Sequence, residues 1–257
     1  CKTYMESIIS QSEDILVTPI DFSLGPSAQY LVSKSEQTFF SSQNLVSPSS
    51  VRVAKFQLGS NSFLDLSSLY FAFDITNNHG SAALTPLTAE AHGLIKRLIV
   101  RCGGTLVESQ ELHNVQEEFV RRLLPLEKRK DLSNMFLGSV PGTGANGFDL
   151  EPNSIAAGAT KRVLYRPMTS ALLNIKKLWP AMLVSQGQGI TFELELAPAA
   201  EAVLGSGSQD YTLSNLRCLC TSIEVTTELQ DQYTSLLLSG KSVFLNLDLH
   251  ENTQHFL

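Results

Sequence analysis

Little in this 257-residue sequence supports covalent chemistry. It has four cysteines (Cys1, Cys102, Cys218, Cys220), one tryptophan and only 17% charged residues. No C-x-x-C pair occurs. Cys218 and Cys220 would share a face of a strand, where two small buried hydrophobes are favoured over a metal or disulfide site. His79, His92, His113, His250 and His255 lack H-E-x-x-H or H-x-H spacing, so each is read as a turn or surface histidine. No G-x-S-x-G is present, which excludes a nucleophile elbow. Gly240-Lys241-Ser242 resembles the end of a phosphate-binding loop, but Ser235 stands where that motif needs glycine, and the order of elements around it is wrong. The expectation is a chain that is not an enzyme, with no catalytic, cofactor-binding or metal-ligating residues and no cofactor.

Positive charge is also scarce. Nineteen Lys and Arg face 25 Asp and Glu, for a net charge of −6, so direct nucleic-acid binding is not expected. No apolar run reaches the ~18 residues of a membrane-spanning helix. Neither an Asn-x-Ser/Thr sequon nor a signal-peptide pattern is found, and secretion is not expected. The chain begins at Cys1 rather than Met, as a fragment or a trimmed chain would.

What the sequence does have is alternation. Ile190, Phe192, Leu194 and Leu196 point one way while Thr191, Glu193 and Glu195 point the other; Val243–Leu249 and Leu69–Ile75 repeat the pattern. This is the period of a strand with one buried and one wet face. Further strands are expected at Val51–Leu58, Phe63–Asn77 with a bulge between Leu66 and Leu69, Gly93–Cys102, Thr105 onward, Arg162–Arg166, near Leu172–Ile175 and Tyr211–Val225. Apolar residues on both sides make 93–102 a central strand. Asn77-Asn-His-Gly and Gly103-Gly104 read as turns, and 138–160 as an exposed Gly-rich loop. Two helical insertions interrupt. One covers 114–124, with Asn114 as N-cap, Glu117 completing a capping box, and Val115, Phe119 and Leu123 on one stripe. The other covers 228–239, with Leu229, Tyr233, Leu236 and Leu237 inward and Gly240 as its stop. Arg121, Arg122 and 126–131 form a basic cluster, read as a solvated helix end and loop or as a contact for an acidic neighbour. Glu193 and Glu195, ~7 Å apart, are read as solvated strand residues rather than a glycosidase pair. Trp179 is read as a packing anchor.

Several passages in order resemble one family. Phe63-Leu-Asp-Leu-Ser-Ser-Leu-Tyr-Phe-Ala-Phe is similar to an early strand of the double jelly-roll major capsid proteins of polinton-like viruses, virophages and related tailless icosahedral DNA viruses. Leu94–Glu108 is similar to their strand, Gly turn and strand. Lys177-Leu-Trp-Pro followed by Gly189–Ala197 resembles their passage from proline into an alternating strand. Tyr211–Arg217, Glu228–Tyr233 and Ser239-Gly-Lys resemble the closing strand and the helix leading on. The resemblance spans about 50–250.

It implies an all-β, antiparallel jelly-roll sandwich with an N-terminal arm over 1–47 and the barrel over 48–257. It implies a structural subunit of an icosahedral viral or virus-derived capsid, located in the virion and assembled inside a host cell. Its partners would be other copies of itself, as a trimeric capsomer, and minor capsid proteins. The family has two barrels in tandem, and this length suits one: either a second barrel follows Leu257 or the chain is a single-barrel relative. The candidate contact regions are the arm before Pro48, the loop 138–160, and the helix around Phe119 with Arg121 and Arg122. The competing reading is a jelly-roll glycan- or protein-binding module without catalysis, which would line a concave sheet with aromatics.

Overall fold

The structure is a computed structural model that describes residues 31–142, 150–181 and 189–239. The segment before residue 31, Gly240-Lys-Ser, the expected strand over 242–249, His250 and His255 lie outside the described residues. The strands in chain order are β1 (Leu31–Phe40), β2 (Leu45–Val46), β3 (Val53–Leu58), β4 (Phe63–Asn77), β5 (Ile95–Cys102), β6 (Thr105–Gln110), β7 (Ser139–Pro141), β8 (Leu150–Pro152), β9 (Thr160–Tyr165), β10 (Ile190–Leu196) and β11 (Tyr211–Val225). The helices are α1 (His113–Arg122), α2 (Leu126–Asn134), the single turn α3 (Ala199–Ala202) and α4 (Thr227–Leu238).

Two sheets carry the architecture, one ordered β1-β11-β4-β9 with β2 also on β11, the other β3-β10-β5-β6. Setting aside the short β2, β7 and β8, the first strand pairs with the last, the second with the seventh, the third with the sixth and the fourth with the fifth, all antiparallel. That nested order is one long hairpin folded over on itself, which is a jelly roll. Its tip is the β5–β6 turn, where Gly103 and Gly104 take φ of +55° and +86°, a region other residues enter only with strain.

The alternation fixes which face is inside. In β10, Ile190, Phe192, Leu194 and Leu196 are buried and the residues between them half-buried; β3 repeats the pattern. The interior of β5, with Leu98, Ile99 and Val100 all buried, agrees with its place between β10 and β6. A chain of rings crosses the sandwich. Phe56 and Phe192 of one sheet pack on Phe71 of the other at centroid distances of 5.0 and 5.8 Å, and Phe71 stacks on Tyr165 at 6.4 Å. The expected bulge in β4 is present: Tyr70 pairs with Leu219 and Asp65 with Thr221, so 66–69 loop out against Cys220 alone. Trp179 is buried and anchors a corner, exchanging backbone hydrogen bonds with Leu64 at 2.7 and 2.8 Å.

Within the expected arm, β1 and β2 are sheet strands; their alternation was hidden because β1 is an edge strand on which only Phe39 is buried. Three expectations are corrected. Leu172–Asn174 is a 3₁₀ turn rather than a strand, with both leucines in the core and the Asn174 amide donating to the carbonyls of Met168 and Ser170. The helical region does not end at 124, because Pro125 leads into α2, with Glu127 at the favourable end of its dipole. Within 138–160, β7 and β8 form a hairpin and Leu150 and Ile155 are buried, because apolar anchors outweigh the breaking effect of the glycines.

Phe71 holds the ring chain together, so Phe71→Ala should lower the unfolding free energy by about 3–5 kcal/mol. Phe40, 69% exposed, should cost within ~0.5 kcal/mol as alanine. Urea denaturation of both variants checks this; equal losses would contradict the packing described.

Candidate assembly surface

α1 carries two stripes. His113, Glu117 and Arg121 recur every fourth residue, and so do Val115, Phe119 and Leu123. Two residues amount to about 200° around a helix, so these stripes lie on opposite faces and only one can turn inward. The charged stripe does. His113 and Glu117 are fully buried and Arg121 is 3% exposed, while Val115, Phe119 and Leu123 are 59%, 68% and 73% exposed. The expected capping box is also absent: Leu112 holds the N-cap position without a side-chain bond, and the Glu117 carboxylate is engaged in the interior.

The interior ties α1 to the β6/β9 edge of the sandwich. Arg121 Nε donates to Glu117 Oε2 at 2.9 Å, its other nitrogens reach Glu90 and the carbonyl of Arg166, and the Glu90 carboxylate comes from the 3₁₀ turn that leads into β5. Glu117 Oε1 accepts from the backbone N–H of Met168 and of Thr169, the latter at 2.8 Å. His113 bridges: Nδ1 bonds Gln110 Oε1 at 2.6 Å and Nε2 bonds the Tyr165 hydroxyl. Gln110 Nε2 donates to Glu108 Oε1 at 2.7 Å, and Glu108 also accepts from Ser170 Oγ and the N–H of Ala171. One turn outward, His92 Nε2 meets Glu118 at 2.9 Å and Arg122 Nε donates to Glu118 at 2.7 Å.

The network sets the protonation states. Burial, then the nearby His92 charge, pushes His113 down to about 3. It is therefore neutral, with Nδ1–H donated to Gln110 and Nε2 accepting from Tyr165, a tautomer inferred from its partners. Burial raises Glu117, against hydrogen bonds from Thr169 and Met168 that pull the other way. Burial also pushes Glu118 up, but hydrogen bonds from His92 and Arg122 outweigh it and hold the carboxyl at about 2. Tyr165 is raised well above the usual phenol range, first by burial and then by the Glu117 charge. Histidine, carboxylates, serine and tyrosine lie together as in a catalytic site, yet both His113 ring nitrogens are engaged and the ring has no exposed surface. The chemistry open to this group is structural: it rigidly holds α1 with its apolar stripe outward.

The other candidate residues lie elsewhere. Glu193 and Glu195 stand on the wet face of β10 in a ladder of ion pairs, Glu193 with Lys55 and Arg101, Glu195 with Arg52 and Arg97. Cys218 and Cys220 are free and buried; burial raises the Cys218 thiol well above its usual value and Cys220 to about 12. His79 is a turn histidine, as expected, its Nδ1 accepting from the N–H of Ser81 and Ala82. His92 and His113 correct the surface reading, being 1% and 0% exposed. The basic cluster is corrected at Arg121 alone, which is interior; Arg122, paired with Glu118, and Lys130, paired with Glu127, lie on the solvated surface as expected. Among the described residues no group of three His, Cys, Asp or Glu could hold a metal ion, and no helix is long and apolar enough to cross a membrane.

Histidine buried neutral binds fewer protons folded than unfolded, so its contribution to stability is complete above its ordinary value of 6.5 and is lost as pH falls toward about 3. Below 4.5 the depressed Glu118 adds a loss of the same sign; the raised Glu117 acts the opposite way and above 4.5, adding stability as pH falls toward that value. Urea denaturation at pH 7, 6 and 5 should show the unmodified chain losing stability faster than His113→Gln, the difference approaching about 1.4 kcal/mol per pH unit for one proton. Parallel pH dependences would contradict the neutral buried histidine. Arg121→Met leaves two buried carboxylates without their cation and should cost about 3–5 kcal/mol.

No family model and no curated protein matches the sequence. Solved structures do match. The fold is similar to that of PBCV-1 VP54 in a crystal structure fitted into a cryo-EM reconstruction of the virophage Sputnik, with a TM-score of 0.51 and 14% identity over 84% of this chain and 48% of that one. It is similar again to a chain of a quasi-atomic PBCV-1 virus capsid, with a TM-score of 0.51 and 13% identity over 82% of this chain and 47% of that one. This chain spans about half the length of the chains it matches. At these identities the likeness establishes architecture alone, an antiparallel jelly roll.

Proposed function

We propose that the chain is a structural subunit that associates with copies of itself, through the walls of its jelly roll, into an icosahedral viral or virus-derived capsid. The observation that carries this reading is the orientation of α1. A subunit working alone gains by turning Val115, Phe119 and Leu123 inward. Here a buried ionic network holds them in water instead, and exposed apolar residues grouped in this way mark contact surfaces. The likeness to chains of viral capsids, over about half their length, supports the same reading.

The place of such a subunit is the virion, after assembly inside a host cell without secretion. The capsomer is a trimer, with minor capsid proteins as further partners and no direct contact to nucleic acid. The reading includes no catalysis. A glycan-binding sandwich would present aromatic rings on an outer sheet face, whereas the outer face of β10 and its neighbours presents the Glu193 and Glu195 ion-pair ladder.

Purified chain should form trimers or larger species at rising concentration by light scattering, and particles by electron microscopy. A chain that stays monomeric at high concentration contradicts the reading. The arm is tested by two truncations. Removing 1–30 should weaken assembly and leave the melting temperature close to unchanged. Removing 1–47 also removes β1 and β2 and should lower the melting temperature strongly.

A further inference from the structure

The assembly reading names a partner but not the faces that meet, and the fold supplies them. The strand order β3-β10-β5-β6 puts β3 and β6 at opposite edges of one sheet, and β1-β11-β4-β9 puts β1 and β9 at opposite edges of the other. α1 belongs to the β6/β9 edge, since its Glu117 and Arg121 bond backbone just after β9 and its His113 bonds Gln110 at the end of β6. The β1/β3 edge is where the chain crosses between sheets, fastened by Ser42 N–H to Lys55 O at 2.9 Å and Ser47 N–H to Val51 O at 2.9 Å. Along that crossing Phe40 is 69% exposed, Leu45 53%, Val51 49% and Val53 38%.

Each subunit therefore carries one apolar surface on each of two opposite walls. A two-fold contact uses one surface twice and would leave the other in water. A head-to-tail contact covers both, each with the other, and closes into a ring when the rotation between copies allows. Each surface offers roughly 400 Å² of apolar area, judged from side chains of this size. That is less than the ~800 Å² per partner of a stable interface, which makes each surface the centre of a contact that polar residues complete. Ser41, Ser42 and Gln43 stand beside Phe40, and Arg122 beside Phe119. The network behind α1 presents its stripe as a fixed shape, so little is lost to ordering on contact.

We propose that the Val115–Phe119–Leu123 stripe of one subunit packs head to tail on the Phe40–Leu45–Val53 edge of the next copy of this chain. This rests on the self-assembly reading. The test uses the 257-residue chain with Cys1→Ser and Cys102→Ser as background, Cys218 and Cys220 being buried. Phe119→Cys and Phe40→Cys are made separately and oxidised mildly, alone and mixed. A covalent dimer in the mixture, absent from either variant alone, is the expected result. No dimer in the mixture, or an equal yield from Phe119→Cys alone, overturns the proposal. Phe119→Ser should weaken association ~10- to 100-fold, as loss of a central aromatic contact does, with the melting temperature of the monomer unchanged. A lowered monomer melting temperature would mean that the stripe is covered within its own subunit, and the proposal falls. If the unmodified chain assembles while the mixture fails to cross-link, the face assignment alone is rejected; if it never assembles, the self-assembly reading is rejected with it.

Discussion

Everything in this fold depends on its two most distant strands finding each other. Leu31 pairs with Val225 and Phe40 with Arg217, so β1 is fastened by a strand nearly two hundred residues away. β11 is the spine on which this happens, fifteen residues long, with β4 along one side and β1 and β2 along the other. Closing so long a loop costs only a little more entropy than closing one half as long, but the return arrives late in folding, since non-local pairing is slow. The inner pairs of the nest, β5 with β6 and β4 with β9, have shorter spans to close. The physically economical order of folding runs from the Gly103–Gly104 tip outward, with β1 last.

The second constraint is at α1. A helix with apolar and charged stripes normally buries the apolar one. The exchange is tolerable here because every buried charge has partners: Arg121 lies between two carboxylates, and Glu117 and Glu108 are met by backbone and hydroxyl donors from 168–171. Buried ion pairs add little net stability over a well-packed apolar replacement, but they are expensive to break singly. What they supply is a definite orientation. The segment 168–171 has no regular structure of its own, and the carboxylates of α1 and β6 take up donors that would otherwise be orphaned.

The long strands were legible because their inner faces repeat with a period of two and their ends carry glycine or asparagine, as in β10 and in β4 with its bulge. The edge strand β1 was not, since an edge half in water has no need of alternation. α1 was legible as a helix but not in orientation. Periodicity presents 113-117-121 and 115-119-123 as equal candidates, and hydrophobicity favours the wrong one. One signal did favour the observed face: Glu117 with Arg121 and Glu118 with Arg122 stand at i and i+4, a density of paired charge that a purely solvated face does not require. Glu90, Glu108, Thr169 and Ser170 carried no signal, because only the fold brings them together.

The nested pairing places the way in beside the way out. Among the described residues, Leu31 opens the first strand and Val225 closes the last, and the two are partners on neighbouring strands. A unit built so behaves like a bead with both holes on one side. It can be copied end to end, or set into another polypeptide, without disturbing any pairing inside it, because the thread leaves from the spot where it came in. Gene duplication therefore meets no topological obstacle in this architecture. The helix α4 begins directly at that shared doorway, at Thr227.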